Sequence, residues 1–447
     1  KMKLKGVNRH SFWPTSGRTT SKAISVEDVT LMKDMNMNAV RMSHYPPDDH
    51  FLDVCDSLGL FVMDELAGWH GHYDTPTGSK LLKEMIAHDV NHPSIVIWSN
   101  GNEGGHNLEL DHLFADLDIQ KRPVVHPWQV FGGFDTQHYR EYNYGIGNYE
   151  NGHAIVMPTE FLHGQFDGGH GAGLEDYWEK MWHNPLSAGG FLWDFADEGV
   201  VRKDRNDSID TDKFRGADGI VGPFHEKEGS YFAIKEIWSP VYLEKKYITG
   251  AFDGLLNVEN RYFFTNLAQC RFTWKLKKLQ ATSAELNGPI PSPDVKPSQK
   301  GLLKLRLPAN WKDYDVLYVS AAGPDGKEVF TWSFPIVQPA TVVASFLQEQ
   351  KSLGRPVLKE VDSLYIVSAN GVTLQINKNT GLLQKVENTK GLIPLTNGPV
   401  VQEAVNNFSP FSYHYNADTL VIASAFDKKN NYNTLEWRID PSGVVQM

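Results

Sequence analysis

The sequence predicts a multidomain chain: a (β/α)8 TIM barrel over residues 1–241, an immunoglobulin-like β-sandwich over 242–337, and a further large β-sandwich domain over 338–447 that reads as incomplete. Three observations predict this. The length of 447 residues corresponds to about three domains at roughly 150 residues each. Sixteen of the seventeen His and eight of the twelve Trp residues lie before residue 240, which marks a change in composition and places the chemistry in the first part. Short apolar runs alternate with helical patterns up to that point, as in βα-repeating folds, and strict apolar–polar alternation takes over after it.

Eight runs qualify as barrel strands: Leu4–Asn8, Asn38–Ser43, Leu60–Glu65, Ser94–Ser99, Pro123–Trp128, Thr136–Tyr139, Ile155–Glu160 and Gly190–Asp194. Between them, Val26, Val29, Met32 and Met35 repeat at helical spacing, as do Leu81, Leu82, Met85 and Ile86, and Ser25 with Asp28 reads as a capping box. These stripes are core. Several strands run on into SHYPP, NGNEGGHN, TEFLHG and WDFADEG, segments that become βα loops, where barrel enzymes gather their sites.

In the second part Cys270, Phe272, Trp274 and Leu276 alternate with Arg271, Thr273, Lys275 and Lys277, and Leu303, Leu305 and Leu307 and then Phe330, Trp332 and Phe334 repeat the period. That is the pattern of half-buried antiparallel strands. The Pro-rich stretch NGPIPSPDVKPSQK (287–300) reads as a long loop within this sandwich. The turn Asn370-Gly371 ahead of Val372, Leu374 and Ile376 predicts a hairpin in the last domain.

Composition excludes several classes. With 41% hydrophobic and 22% charged residues the chain is an ordinary folded protein, neither disordered nor fibrous. A net charge of −11 repels phosphate backbones and anionic membrane surfaces, so neither nucleic acid nor a membrane is an expected partner. The longest apolar stretches fall well short of the ~18 residues of a membrane span. Cys55 and Cys270 form neither a disulfide framework nor a metal motif, which leaves the compartment open between periplasm or secretion and the cytoplasm. The start KMKLKGVNRH carries no signal-peptide core and opens on a bare strand, from which further chain upstream is expected.

Glu103, ending SIVIWSNGNE, and Glu160, ending AIVMPTE, each follow an apolar strand at a predicted C-terminal barrel end, amid Gly, His, Trp, Thr and Phe rather than other charges. Two carboxylates converging on one barrel mouth are what glycoside hydrolysis needs, one to protonate the leaving oxygen and one to attack or to activate water. The competing reading makes one of them an ion-pair partner of Arg41 or Arg9.

The segments GVNRH (6–10), NAVRMSHYP (38–46), MDE (63–65), NHPSIVIWSNGNE (91–103), TEFLHG (159–164) and GGFLWDFAD (189–197) resemble, in order and spacing, the catalytic barrel of family-two glycoside hydrolases. Within that family the HYP and Glu-x-x-His patterns are most similar to β-galactosidases. The resemblance runs through the barrel and more weakly into the domains after it, the last of which it likens to a supersandwich. It implies a retaining exo-acting mechanism on terminal β-D-galactosides, with Glu103 as general acid/base and Glu160 as nucleophile. It further implies that Arg41 holds Glu160 ionised, that Asn102 hydrogen-bonds the sugar 2-OH and that Tyr139 orients the nucleophile. His10, His44 and His163 would grip the sugar, and Trp193 would be an apolar platform for it. A retaining pair needs carboxyls ~5–5.5 Å apart, an ionised nucleophile and an acid of raised pKa.

Two departures from the family pattern stand out. Magnesium-dependent relatives place a Glu after the third strand where DELAGWHGH has Trp69, so no metal and no cofactor are expected; His70 and His72 form only a weak HxH pair. The family's amino-terminal jelly roll and first sandwich do not occur in these residues. The loop after strand eight holds no Asn-x-Lys pair of the kind that β-glucuronidases carry, and DGIVGPFHEKEG there offers only Lys227. The expected partner is therefore a neutral β-galactoside oligo- or polysaccharide. β-Galacturonidase or α-L-arabinopyranosidase activity stays open, with Lys227 or Arg215 serving an acidic sugar, as does a catalytically inactive carbohydrate-binding protein. A homo-oligomer is allowed by the sequence and not specified by it.

Overall fold

A computed structural model describes residues 2–140, 152–165, 170–279, 285–341, 343–344, 354–398, 409–425 and 434–447. The chain forms two compact units, Lys1–Ile336 and Val337–Met447. The fold is a TIM barrel followed by β domains.

The barrel opens with β1 (Leu4–Arg9), β2 (Ala39–Met42), β3 (Phe61–Trp69), β4 (Ile95–Asn102) and β5 (Val124–Val125). It continues through β6 (Val130–Phe131), β7 (Phe134–Asp135), β8 (Ile155–Val156) and β9 (Gly189–Leu192). One parallel sheet runs in the order β5-β4-β3-β2-β1-β9. β7 pairs in parallel with β8. Parallel bridges Val156↔Ser187 and Phe161↔Leu192 join that pair to β9, and Thr136 Oγ1 donates to the carbonyl of His126 at 2.8 Å on the β5 side. With β6 as an inserted hairpin strand, the barrel is built from six parallel strands in one sheet and the parallel pair β7 and β8 beside it.

β1, β2 and β9 are buried along their whole length, as parallel barrel strands covered on both faces must be. Leu4, Ala39, Met63, Ile97, Val125, Met157 and Phe191 fill the interior as one cluster. Gly6 makes room for it: a Cβ there would sit 2.3 Å from Phe191 Cδ1. The helices α1 (Lys22–Asp34), α2 (Asp49–Leu58), α3 (Thr75–Asp89), α4 (Asp111–Leu117), α5 (Ala172–His183) and α6 (Gly229–Ile237) lay their apolar stripes on the outside.

Three expectations are corrected. α1 is capped by Ser21, whose side chain accepts from the Ile24 amide; Ser25 and Asp28 are buried one turn inside, where Asp28 pairs with Arg9 at 2.6 Å. The sixth strand is Phe134–Asp135, not Thr136–Tyr139, because Tyr139 takes a left-handed φ of 49° that ends extended structure. The supposed loop 287–300 begins inside a strand: β15 (Glu285–Ile290) runs through Gly288-Pro289 and pairs with β14 (Arg271–Lys277).

After β9 the short strands β10 (Val200–Arg202) and β11 (Ser208–Asp210) form a hairpin. β12 (Val241–Leu243), β13 (Leu255–Asn260) and β16 (Lys300–Lys304) form one sheet of the sandwich. β14 and β15 with β17 (Val316–Ala322) and β18 (Glu328–Pro335) form the other, over a core centred on Phe272, Leu276, Leu317 and Val319. Trp182 Nε1 donates to Glu259 Oε1 at 2.8 Å and Arg261 pairs with Glu179 at 2.9 Å, fastening α5 to this sandwich.

The second unit consists of antiparallel sheets. Its Asn370-Gly371 turn, at φ 43° and 77°, joins Leu364–Ala369 to Val372–Asn377, as the sequence predicts. Both cysteines are buried and free. No described helix is long and apolar enough to cross a membrane.

Candidate active site

Every expected site residue lies at the C-terminal end of a barrel strand or in the loop that follows it. Arg41, on β2 and fully buried, organises the centre. Its Nη1 donates to Glu160 Oε1 at 2.7 Å and to Asn8 Oδ1 at 3.0 Å, its Nη2 to Asn102 Oδ1 at 2.7 Å, and its Nε to Glu65 Oε2 at 2.8 Å. A guanidinium presents donors in a fixed planar fork, so four partners on β1, β3, β4 and the segment after β8 are held in register by one side chain. Both readings of Glu160 are thus met at once, since it is the ion-pair partner of Arg41 and also faces Glu103.

Glu103 and Glu160 each place a carboxylate oxygen within 4.8 Å of the other's and of a His138 ring nitrogen. His138 Nδ1 lies 3.1 Å from Glu103 Oε1 and 3.5 Å from Glu160 Oε2, while its Nε2 bonds the Thr159 hydroxyl at 2.8 Å. The Tyr139 hydroxyl donates to Glu160 Oε2, and Trp69 Nε1 donates to Glu103 Oε2 at 2.8 Å. Glu103 and Tyr139 both sit at left-handed φ, 45° and 49°, a backbone cost that clusters at functional sites.

Burial alone would raise the Glu160 carboxyl, but the coulombic pull of His138, Arg41 and His44 and the Tyr139 hydrogen bond bring it down to about 2. Burial and the Glu160 charge push the Tyr139 phenol up, so it stays a donor. The expected raised pKa of Glu103 is not found. The His138 hydrogen bond, with help from Trp69, outweighs burial and the charge of Glu160 and holds the Glu103 carboxyl below its usual range.

On the sugar side, His44 lies flat on Trp193 with ring centroids 5.2 Å apart, and His10 meets the same indole edge-on at 5.5 Å. His44 therefore covers one face of Trp193, and the His163 ring lies 6.3 Å from the same indole. Trp193 Nε1 donates to Asp218 Oδ2 at 2.9 Å, and His163 Nε2 lies 3.4 Å from the same oxygen. His10 Nδ1 is 3.1 Å from the Tyr45 hydroxyl, and burial with neighbouring positive charge lowers the His10 imidazole to about 3, so it is neutral. Asn102 Nδ2 is buried and donates to no described residue, so it is a free donor beside Glu103.

Glu65, His138, Asn8 and Asp218 were not singled out from the sequence. The signals were present in MDE, the HY dipeptide, GVNRH and the first residue of DGIVGPFHEKEG, but each side chain acts through a partner on another strand. The cations considered for an acidic sugar are committed elsewhere. Lys227 pairs with Asp34 at 3.2 Å at the C-terminal end of α1, hence at the barrel's opposite face, and Arg215 pairs with Asp212 at 3.1 Å on an exposed loop. His106 and His170 bond the backbone carbonyls of Asn100 and Trp193 and are structural.

The residues do not fit the magnesium site of the metal-dependent relatives. Both Glu103 oxygens already accept protein hydrogen bonds, from Trp69 and His138, and an indole offers no ligand where a hard cation wants oxygen. His70 Nε2 lies 3.6 Å from Glu103 Oε2, and His72 bonds the Tyr73 carbonyl, so the two do not converge.

Two carboxylates converging at the mouth of a (β/α)8 barrel are the arrangement that glycoside hydrolysis uses. Residues 1–126 match the TIM barrel domain of glycosyl hydrolases family 2. The chain is 30% identical over 328 residues to a β-galactosidase of Priestia megaterium, covering 62% of this chain and 30% of that one. It is 32% identical over 234 residues to a β-galactosidase of Pseudoalteromonas haloplanktis, covering 45% and 22%. The match thus spans less than a third of these curated relatives. Among solved structures, a family 2 member from Bacteroides cellulosilyticus is similar over 98% of this chain and 61% of its own (16% identity, TM-score 0.43). A β-galacturonidase from Eisenbergiella tayi bound to galacturonate is similar over 53% and 51% (21% identity, TM-score 0.43).

Proposed function

We propose that the chain carries the catalytic barrel of a retaining, exo-acting β-glycosidase that hydrolyses terminal non-reducing β-D-galactosides. In this reading residues 1–241 are the barrel, 242–337 the immunoglobulin-like sandwich and 338–447 a further β-sandwich. The observation that carries it is the approach of the Glu103 and Glu160 carboxylate oxygens to within 4.8 Å. That separation suits direct attack through a covalent intermediate and is too short for the ~6.5–9.5 Å that inversion needs to seat a water.

Glu160, ionised beside Arg41, attacks the anomeric carbon while Glu103 gives its proton to the departing glycosidic oxygen. The glycosyl ester on Glu160 is then hydrolysed by a water whose proton Glu103 takes, which restores both groups and retains the anomeric configuration. Asn102 Nδ2 is placed to donate to the sugar 2-OH, an interaction that strengthens in the transition state. In the first step Glu103 must be protonated although its neighbours favour the ionised form; a bound sugar that excludes water and displaces the His138 bond supplies the opposite push.

The engagement of Lys227 with Asp34 at the barrel's opposite face supports a neutral galactoside over a galacturonide. An α-L-arabinopyranoside, which lacks only the hydroxymethyl group, fits the same contacts. Turnover of nitrophenyl β-galactoside, lost at least a hundredfold in Glu160→Gln, is the expected result. Saturable galactoside binding without turnover would favour a catalytically inactive binding protein instead.

A further inference from the structure

The outer side of Glu103 is lined by aromatic rings that the two-carboxylate chemistry does not use. Trp69 ends β3 with its indole N–H on Glu103 Oε2 while 63% of the residue is exposed. The His70 ring follows at 4.7 Å from Trp69, and Trp128, 47% exposed, stands 6.3 Å from His70. Trp128 also lies near-parallel to His138, at 6.5 Å and 27°. The three rings therefore form an arc from Glu103 to the imidazole that bridges the two carboxylates. Exposed Trp is uncommon, because burying an indole is strongly favourable, and two in one arc next to a reacting group point to a surface that a ligand covers.

Which part of a ligand covers it follows from the chemistry. This step rests on the assignment of Glu103 as the acid: the group it protonates is the leaving oxygen, so whatever departs lies on the Glu103 side, away from Glu160. We propose that Trp69, His70 and Trp128 form the binding site for the sugar ring on the leaving-group side of the cleaved bond, so that the substrate is an oligosaccharide and not a glycoside of a small alcohol. The apolar C–H face of a pyranose stacks on an indole as another flat apolar group does, and the Trp69 hydrogen bond to Glu103 fixes that platform relative to the proton donor. The same indole that removes a metal ligand from the loop after β3 supplies the sugar platform.

The test compares lactose with methyl β-galactoside, which shares the cleaved galactosyl group and lacks the second ring. In the full chain, Trp128→Ala should lower kcat/KM for lactose about tenfold more than for the methyl glycoside, and Trp128→Phe, which keeps a ring, should recover most of that difference. Equal losses for the two substrates would overturn the proposal. If the wild-type chain turns over neither, the activity reading fails, and tryptophan fluorescence of Glu160→Gln titrated with lactose and with galactose decides the subsite alone. Lactose binding about tenfold tighter than galactose, with the difference abolished by Trp128→Ala, supports it; equal affinities overturn it.

Discussion

Arg41 Nη1 sits 2.7 Å from Glu160 Oε1, and the guanidinium that makes this contact is closed on its other edge by Glu65, 2.7 Å from Nη2. One cation thus faces two buried carboxylates, with Asn8 and Asn102 completing its hydrogen bonds. The arrangement keeps the Glu160 carboxylate ionised in a place where burial alone would favour its protonated form.

Arg41→Met should destabilise the barrel by about 3–5 kcal/mol, since removing one partner leaves buried charge uncompensated. Glu160, held at about 2 against an ordinary 4.5, contributes stability above its ordinary value that is lost as pH falls toward 2. Without Arg41 its carboxyl rises, so the acid limb of kcat/KM should move to higher pH. Thermal unfolding at pH 7 and a pH profile check this; a variant with both unchanged contradicts it.

Removing Glu103 should separate substrates by leaving group. Glu103→Ala should slow glycosides with basic leaving oxygens by several orders of magnitude and nitrophenyl glycosides far less, and azide should restore turnover by replacing the water that needs a general base. A uniform loss without azide rescue would take the acid/base role from Glu103.

His138 lowers both carboxyls, and the sign of its removal is the same for each. Glu160 acts ionised and sets the acid limb; Glu103 acts protonated and sets the basic limb. His138→Ala should therefore move the whole bell of kcat/KM to higher pH, through the lost hydrogen bond to Glu103 and the lost electrostatic pull on Glu160. Limbs that stay in place would show that His138 only positions Thr159.

Much of the barrel is legible because β2, β3 and β4 carry compact Val, Ile or Met runs. The sixth strand was displaced because His138 and Tyr139 look strand-like in sequence, whereas the chain has already turned to aim both side chains at Glu103 and Glu160. Arg41, Glu103, Asn102 and Glu160 were legible as strand-end residues. Glu65 and His138 stood inside recognised motifs, yet their roles depend on neighbours 21 to 35 positions away. The depressed pKa of Glu103 was invisible for the same reason: its donors come from β3 and from the segment after β7.

Both Glu103 oxygens are occupied by the Trp69 and His138 hydrogen bonds and an indole offers a hard cation no ligand, so exhaustive EDTA treatment should leave hydrolysis essentially unchanged. Activity abolished by EDTA and restored by Mg2+ would require a site built from Glu103 with His70 or His72.

The central claim is that Glu160 forms the glycosyl-enzyme bond, and a 2-deoxy-2-fluoro-β-galactosyl fluoride tests it most directly. The fluorine slows both steps and the fluoride leaving group speeds the first, so the ester accumulates and can be located by peptide mass. Time-dependent inactivation with one label, on the peptide carrying Glu160, is the expected result. A label on Glu103 or any other residue, or inactivation that persists in Glu160→Gln, would contradict it.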